Sequence, residues 1–304
     1  MISLVIPIYN EEVLVEQLFH RTTQALSRIT ENFEVICVDD GSQDSSLEKL
    51  MAYHRAEPRF KVLVLSRNFG HQAAYTAGLT YAKGDYVVMM DGDLQDPPEL
   101  IAEMYHKLVA ESYDIIHGRR VERQERFGKQ ILIRLFHYAF KSFSRLEEAA
   151  NVGNFSLMNR KALDAFLSMR EKNRYLPGLR FFIGFKQGFV NYSRPDRLAG
   201  HAKMSFRKLA SLAVSAIFSF SNLPVKLCLY TGLLGMVIFF AAGVYTIIDK
   251  ILGTALPGWS SIVLSIYFLG SVQLVFMGII GEYLFMVYRE VQNRPIFIVK
   301  DFAG

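Results

Sequence analysis

A short apolar run that ends in a cluster of acids constrains this chain more than any other feature of its sequence. Residues 86–90 are apolar and lie between Gly84 and Gly92, a pattern too short for a helix and typical of a buried strand. Asp91 and Asp93 follow at the carboxyl end of this strand, where open α/β sheets bind ligands. Two carboxylates one residue apart can face one divalent cation, but an isolated Asp-Gly-Asp is also a common turn.

The segments before this strand repeat the order of strand, loop and helix. Apolar strands are predicted at residues 2–8, 33–38 and 61–65, and the helical spacing that follows them covers 13–29, 47–55 and 73–82. This alternation predicts a doubly wound α/β sheet that is mostly parallel and flanked by helices. The sequence contains neither the GxGxxG pattern after its first strand nor a GxxxxGK[ST] pattern, which argues against a dinucleotide-binding or P-loop enzyme.

Three motifs carry a resemblance to a known family. PIYNEE at 7–12, DDGSQD at 39–44 and DGDLQDPPE at 91–99 resemble the motifs of family 2 glycosyltransferases, and more narrowly of the enzymes that load a sugar onto a polyprenyl phosphate. The resemblance implies a GT-A type Rossmann-like fold, with Mg²⁺ or Mn²⁺ held by Asp91, Asp93 and Gln95. The implied nucleotide-sugar site comprises Pro7, Tyr9, Glu11, Asp39, Asp40, Asn68, Asp91 and Gly92.

The chemistry of the first two motifs agrees with a nucleotide site. Asp39 can accept a hydrogen bond from a pyrimidine ring N–H, and Pro7, Tyr9 and Glu11 can pack against or bond the base and ribose. In the alternative interpretation, Asp39 and Asp40 only end a strand and cap the next helix.

Basic residues follow a further strand predicted at 113–117. A lipid phosphate needs fixed cations, and arginine offers its oxygens bidentate geometry, although a charge run is also typical of a solvated helix face. The resemblance places an acceptor-phosphate arginine at Arg119. Further candidates for the lipid phosphate or the diphosphate are Arg126, Lys129, Arg197 and Lys203.

Asn154 stands where many relatives of the resembled family carry an aspartate that is discussed as a base. An amide cannot act as a base, but a phosphate monoester has a second pKa near 6 and is largely a dianion at neutral pH. Asn154 therefore either orients the nucleophile by hydrogen bonding or is a structural loop residue. We expect Asp91, Asp93, Arg119 and Asn154 to be the catalytic residues of a single-step, inverting transfer.

The composition changes after residue 204. Residues 205–226 are amphipathic, as in an interfacial helix, and residues 227–248 and 262–281 carry no charge over a length that can cross a bilayer. The sequence thus predicts a catalytic domain at 1–204, an interfacial region at 205–226, a two-helix transmembrane hairpin at 227–288 and a C-terminal tail at 289–304. Basic residues at both outer ends predict a cytoplasmic catalytic domain on the inner membrane. A pair of buried core helices is the alternative.

Charge and cysteine content exclude other classes. The 304 residues carry a net charge of +5 without a basic tract, which argues against a nucleic-acid partner. Cys37 and Cys228 have neither metal-site nor redox spacing, so buried, reduced thiols are expected.

The predicted function is metal-dependent transfer of a hexose, expected to be glucose, from a nucleotide diphosphate sugar, expected to be a UDP sugar. The acceptor is polyprenyl (undecaprenyl) phosphate at a membrane, and the resemblance implies a homo-oligomer. Two other hypotheses remain: a processive polysaccharide synthase, whose usual QxxRW signature is absent, and a catalytically silent membrane protein that binds a nucleotide sugar.

Overall fold

A computed structural model describes residues 1–120, 152–172, 174–193 and 258–304, with isolated positions between 230 and 252. The chain forms two compact units, one of residues 1–205 with 295–304 and the other of residues 206–294. All candidate residues that the structure describes lie in the first unit.

The amino-terminal half alternates strands and helices as predicted. β1 and β2 are buried at every position, because apolar side chains on both faces meet a covering layer. Strands β1 to β4 run parallel to one another, with β1 between β2 and β4. The elements are β1 (Ile2–Ile8), α1 (Val15–Ser27), β2 (Phe33–Asp39), α2 (Ser46–Ala56), β3 (Phe60–Leu65), α3 (His71–Tyr81) and β4 (Tyr86–Met89).

The remaining described elements include two strands that run against the others. β6 lies antiparallel between β4 and β5, and β8 lies antiparallel beside β3. These elements are α4 (Leu100–Ala110), β5 (Ile115–Arg120), β6 (Val152–Asn159), α5 (Arg160–Ser168), α6 (Leu176–Phe182), β7 (Gln187–Tyr192), α7 (Trp259–Val291) and β8 (Val299–Ala303).

The eight strands form one sheet in the order β7-β5-β6-β4-β1-β2-β3-β8. The predicted α/β architecture is confirmed, but the sheet is mixed: β1 to β4 are parallel, while β6 and β8 are not. The prediction missed β6 because Gly153 and Asn154 interrupt its apolar pattern. It missed β8 because that strand lies in the segment expected to be a tail.

The core occupies both faces of the sheet. One face packs against α1, α2 and α4 through residues such as Leu18, Leu50 and Met104. On the other face α3 approaches closely, because a Cβ at Gly78 would lie 2.4 Å from a methyl group of Val5. Cys37 is a buried free thiol of this core, and burial raises its pKa; Cys228 lies outside the described residues.

The predicted membrane segments are not supported. Residues 205–226 and most of the first uncharged run lie outside the described residues, and the second run lies within α7. No helix in the part of the chain that the structure describes combines the length and the apolar character that crossing a bilayer requires. This finding contradicts the predicted inner-membrane localisation and leaves the predicted transmembrane hairpin without support. The prediction rested on the absence of charge over residues 227–248 and 262–281, which is a property of the sequence alone.

Candidate active site

The parallel strands bring the predicted acidic residues to one edge of the sheet. Asp39 ends β2 and Asp91 lies two residues beyond the end of β4, and β1 lies between these two strands. Gly92 crosses the end of β1 so closely that a Cβ there would lie 2.7 Å from Ile8 Cδ1 and 3.0 Å from the Pro7 carbonyl oxygen. The glycine of the Asp-Gly-Asp motif is therefore required by packing.

Asp91 is held from α3 by two side chains that the sequence analysis did not select. The Tyr75 hydroxyl donates to Asp91 Oδ1 at 2.7 Å, and His71 Nε2 lies 3.1 Å from the same oxygen. Burial alone would raise the pKa of the Asp91 carboxyl, but the contact and charge of His71, the Tyr75 hydrogen bond and the charge of Arg120 lower it well below its usual value. Asp91 is therefore ionised at neutral pH.

His71 responds to the same contact. Burial lowers the pKa of His71, but its bond to Asp91 and the nearby carboxylates of Asp91, Asp40 and Asp93 raise it above the usual value. The first turn of α3 thus places beside the acid cluster an imidazole whose protonation these carboxylates favour.

Asp93 and Gln95 form the turn that follows Asp91. The Gln95 backbone N–H donates to Asp93 Oδ1 at 3.1 Å, and Leu94 between them has a φ of 56°, a left-handed conformation that is uncommon for leucine. Gln95 is nearly buried, at 9% exposure. The fixed turn holds the two predicted metal ligands next to each other.

The oxygen donors of this turn fit a hard divalent cation. Carboxylate and amide oxygens from Asp91, Asp93 and Gln95 are the ligand types that Mg²⁺ and Mn²⁺ prefer. Within the described residues, no group of three or more His, Cys, Asp or Glu side chains is arranged to hold a metal ion. A metal at this turn would therefore depend on the Gln95 amide and on oxygens from the substrate.

Asp39 and Asp40 are both buried but have different surroundings. Both Asp39 oxygens accept long hydrogen bonds, of 3.3 and 3.4 Å, from the Ser42 backbone N–H. Asp40 accepts from the backbone N–H groups of Phe69 and Gly70 at 2.7 and 2.9 Å. Burial raises the pKa of both carboxyls. Asp40 therefore fixes the loop before α3, while Asp39 bonds to the turn that directly follows β2.

The loops after β1, β2 and β3 are joined to one another. Asn10 accepts from the Gln43 N–H at 2.8 Å, and its own N–H donates to Ser42 Oγ at 3.1 Å. Gly41 has a φ of +73°, and a Cβ there would lie 2.7 Å from the Asn68 backbone nitrogen. These contacts bring together the loops that carry the predicted nucleotide residues: Tyr9, Glu11, Asp39, Asp40 and Asn68, with Pro7 at the end of β1.

Arg119 and Arg120 point to opposite faces of the sheet, since successive side chains of a strand alternate. The Arg119 guanidinium lies 3.8 Å from the centre of the Phe189 ring on β7. Arg120 turns the other way, donates to the Tyr192 hydroxyl at 3.1 Å and lies 3.6 Å from the buried carboxylate of Asp96. Tyr192 also donates to Asp96. The sequence analysis did not select Arg120, although its charge helps to lower the pKa of Asp91.

Asn154 lies in β6 and not in a loop. Its backbone carbonyl accepts a 2.8 Å hydrogen bond from Arg180, and its buried side-chain Oδ1 has no hydrogen-bond partner among the described residues. The candidates Arg126, Lys129, Arg197 and Lys203 lie outside the described residues. Whether they join the site stays a prediction.

Comparison with known proteins places this geometry in a family. The family model "Glycosyl transferase family 2" matches residues 3–167. An uncharacterized glycosyltransferase of Synechocystis is 40% identical, and the match covers 100% of this chain and 96% of the relative. The SfII prophage-derived bactoprenol glucosyl transferase of Shigella flexneri is 35% identical over 98% of this chain and 97% of its own length.

A solved structure supports the fold. The crystal structure of a mycobacterial protein has a TM-score of 0.50 and 17% identity, and the match covers 72% of this chain and 74% of that one. The nearly full-length similarity to these glycosyltransferases agrees with the α/β sheet and with the acidic loop that follows β4. The chain is a glycosyltransferase and belongs to glycosyl transferase family 2.

Proposed function

We propose that the protein transfers glucose from uridine diphosphate glucose to a polyprenyl phosphate, with inversion at the anomeric carbon and with a divalent metal ion. The observation that carries this proposal is the loop of Asp91 to Gln95 at the carboxyl edge of the parallel strands, in a chain similar over nearly its full length to bactoprenol glucosyl transferases. Glucose and the lipid acceptor come from the names of those relatives.

The donor assignment rests on the joined loops after β1, β2 and β3. Asp39 is 1% exposed and its two oxygens accept long hydrogen bonds from the Ser42 N–H. A carboxylate can accept several hydrogen bonds, so Asp39 can also accept one from a pyrimidine N–H. Asp40 supports the site indirectly, since its carboxylate holds the backbone of the Asn68 loop.

The leaving diphosphate is expected beside Asp91, Asp93 and Gln95. Mg²⁺ or Mn²⁺, when bound by these oxygens, supplies positive charge that stabilises the leaving group. The ionised state of Asp91 supports this assignment, and the contacts from Tyr75 and His71 orient its carboxylate.

The acceptor is expected beside the end of β5. A phosphate monoester is largely ionised at neutral pH, so its oxygen can attack the anomeric carbon without a general base. Arg119 is the proposed phosphate ligand, and its ring contact with Phe189 orients the guanidinium. Asn154 is proposed to orient the phosphate by hydrogen bonding, a role that an amide can fill.

Incubation of the purified full-length protein with a panel of nucleotide sugars and undecaprenyl phosphate in detergent tests the proposal. We expect a glucosylated lipid phosphate by mass spectrometry with UDP-glucose and Mn²⁺ or Mg²⁺, and no product after addition of EDTA. Unphosphorylated polyprenol is the control acceptor and should remain unmodified. Binding of UDP without product in every reaction would contradict a transferase function, and a product polymer would favour a processive synthase.

The stereochemistry of the product gives a further prediction. A retaining double displacement requires a side-chain nucleophile, whereas direct attack by the lipid phosphate needs none. We therefore expect a β-linked product from the α-linked donor, measured by the anomeric proton coupling in NMR. An α-linked product or a trapped glycosyl-enzyme would contradict the single-step mechanism.

A further inference from the structure

The side chain of Arg180 on α6 is fully buried. A buried cation is usually paired with a carboxylate, whereas Arg180 bonds to carbonyl and hydroxyl oxygens. Its Nη1 donates to the Asn154 carbonyl oxygen at 2.8 Å and to Ser156 Oγ at 2.9 Å, and its Nη2 donates to the Gly153 carbonyl oxygen. Among the described residues, no carboxylate forms an ion pair with this guanidinium. Burial lowers the pKa of Arg180 to about 10, so the group remains charged at neutral pH.

A buried charge of this kind is costly unless hydrogen bonds compensate for it. The three oxygen acceptors of Arg180 all belong to one end of β6. The ladder between β4 and β6 ends at the pair Met89 and Ser156, so the backbone of Gly153 and Asn154 continues beyond the end of β4. Arg180 therefore donates to carbonyls in the part of β6 that extends beyond its pairing with β4.

Arg120 lies close to the same end of β6, on the side opposite to Arg180. A Cβ at Gly153 would lie 2.8 Å from Arg120 Nη2, so the strand passes between two guanidinium groups. Arg180 also touches the sulfur of Met89, two residues before Asp91, and the charges of Arg180 and Asp91 interact. One side chain therefore contacts both the strand that carries Asn154 and the strand that leads into the acidic loop.

We infer that Arg180 is a positioning residue, which fixes the end of β6 so that Asn154 and the acceptor phosphate it orients lie at a set distance from the acidic loop. This inference rests on the proposed function. A flexible strand end would misplace the attacking oxygen, and a displacement of about 1 Å can lower the rate of a positioned reaction about 100-fold.

The test compares Arg180→Lys with Arg174→Lys in the full-length protein. Arg174 is a matched control because it is 8% exposed and its guanidinium donates to the carbonyl oxygens of Met169 and Phe166, outside the site. For Arg180→Lys we expect kcat per folded molecule to fall about 10- to 100-fold. In Arg174→Lys it should stay within about threefold of the wild type, and the affinity for UDP with Mn²⁺ should stay within about threefold in both variants.

Two results would overturn the inference. One is an unchanged kcat per folded Arg180→Lys molecule, which is what a purely structural role predicts. The other is a parallel loss of kcat and UDP affinity. If Arg180→Lys does not fold, Ser156→Ala removes one of the three oxygen acceptors, and we expect its kcat to fall at least about threefold with UDP affinity retained. An unchanged kcat in Ser156→Ala would then contradict the positioning role.

Failure of the proposed function gives a different result. A wild-type protein that binds UDP with Mn²⁺ but forms no product contradicts the proposed function alone. Hydrogen–deuterium exchange then tests the positioning role, because the amides of residues 153–156 must exchange faster in Arg180→Lys than in Arg174→Lys. Equal exchange in the two variants would overturn the inference.

Discussion

The carboxyl ends of β2 and β4 carry the acids of the site, whereas the neighbouring ends of β5 and β6 are surrounded by arginines. In the first region, here called the donor half, backbone N–H groups, a tyrosine hydroxyl and the His71 imidazole hold the carboxylates, as Phe69 and Gly70 hold Asp40. In the second, the acceptor half, aromatic rings, carbonyl oxygens and one acid hold the cations, as Phe189 does for Arg119. The donor half thus presents negative charge suited to a metal ion, and the acceptor half presents positive charge suited to a phosphate.

The largest expected effect lies in the donor half. Removing the charge of Asp91 by Asp91→Asn should lower transfer at least about 1,000-fold, since a metal-assisted step is worth several kcal/mol. Asp93→Asn and Gln95→Ala should act in the same direction. Radiolabelled transfer from UDP-glucose measures the effect.

Asp85→Asn is the matched control, because Asp85 is 74% exposed and pairs only with the amino terminus at 2.7 Å among the contacts of the described residues. Its turnover should equal that of the wild type. Retention of a tenth of the activity in Asp91→Asn would show that the acidic loop is not the centre of the donor half.

A smaller effect is expected from the arginine that contacts Asp96. Arg120→Met leaves the fully buried Asp96 carboxylate without the Arg120 charge, and breaking such a pair costs about 3 kcal/mol of unfolding free energy. Urea denaturation measures it. The double variant Arg120→Met with Asp96→Asn should recover part of this loss, because the buried negative charge is gone.

An exposed pair of the donor half provides the control. Arg21 and Glu99 pair at 2.8 Å with side chains 27% and 46% exposed, so Arg21→Met should cost less than about 1 kcal/mol. Equal losses for the two arginine variants would show that burial does not distinguish the acceptor half.

The smallest effect concerns the pH dependence of stability. Burial, with the charges of Arg180 and Arg119, lowers the pKa of His117 from 6.5 to about 3. The unfolded chain therefore binds a proton that the folded chain does not, and stability falls as pH drops from about 6.5 towards 3, by up to about 1.4 kcal/mol per pH unit. The raised pKa values of Asp39 and Asp40 act in the opposite direction in acid.

Urea denaturation of His117→Phe at pH 7 and pH 5 measures this contribution. The variant keeps an aromatic ring against Phe181 and should lose less stability on acidification than the wild type. His106→Gln, a change at an exposed position of α4, should follow the wild type. An unchanged pH dependence in His117→Phe would show that His117 is not held neutral.

The two halves also differ in how well the sequence predicts them. In the donor half each strand and the loop after it are adjacent in sequence, so the apolar pattern locates β1 to β4 and the acids that follow them. The parallel arrangement then places Asp39 and Asp91 at one edge. What the sequence did not indicate is the support from α3, because Tyr75 reaches Asp91 across 16 residues.

The acceptor half depends on contacts between distant residues. The pairing of β6 with β4 and β5 cannot be read from Gly153 and Asn154, which break its apolar pattern. Arg180 lies within an apolar segment, and its burial depends on carbonyl groups 26 and 27 residues away. The alternation of side chains along β5 does separate Arg119 from Arg120, but the side of the sheet that each faces follows only from the fold.

The division into donor and acceptor halves is tested most directly by titrating UDP, in the presence of Mn²⁺, into the variants Asp39→Ala and Arg119→Ala. The account predicts that Asp39→Ala weakens UDP binding about 10-fold or more, the value of a hydrogen bond to a charged group. Arg119→Ala should bind UDP within about twofold of the wild type, although it uses the lipid phosphate poorly. Equal losses of UDP affinity in the two variants would contradict separate donor and acceptor sites.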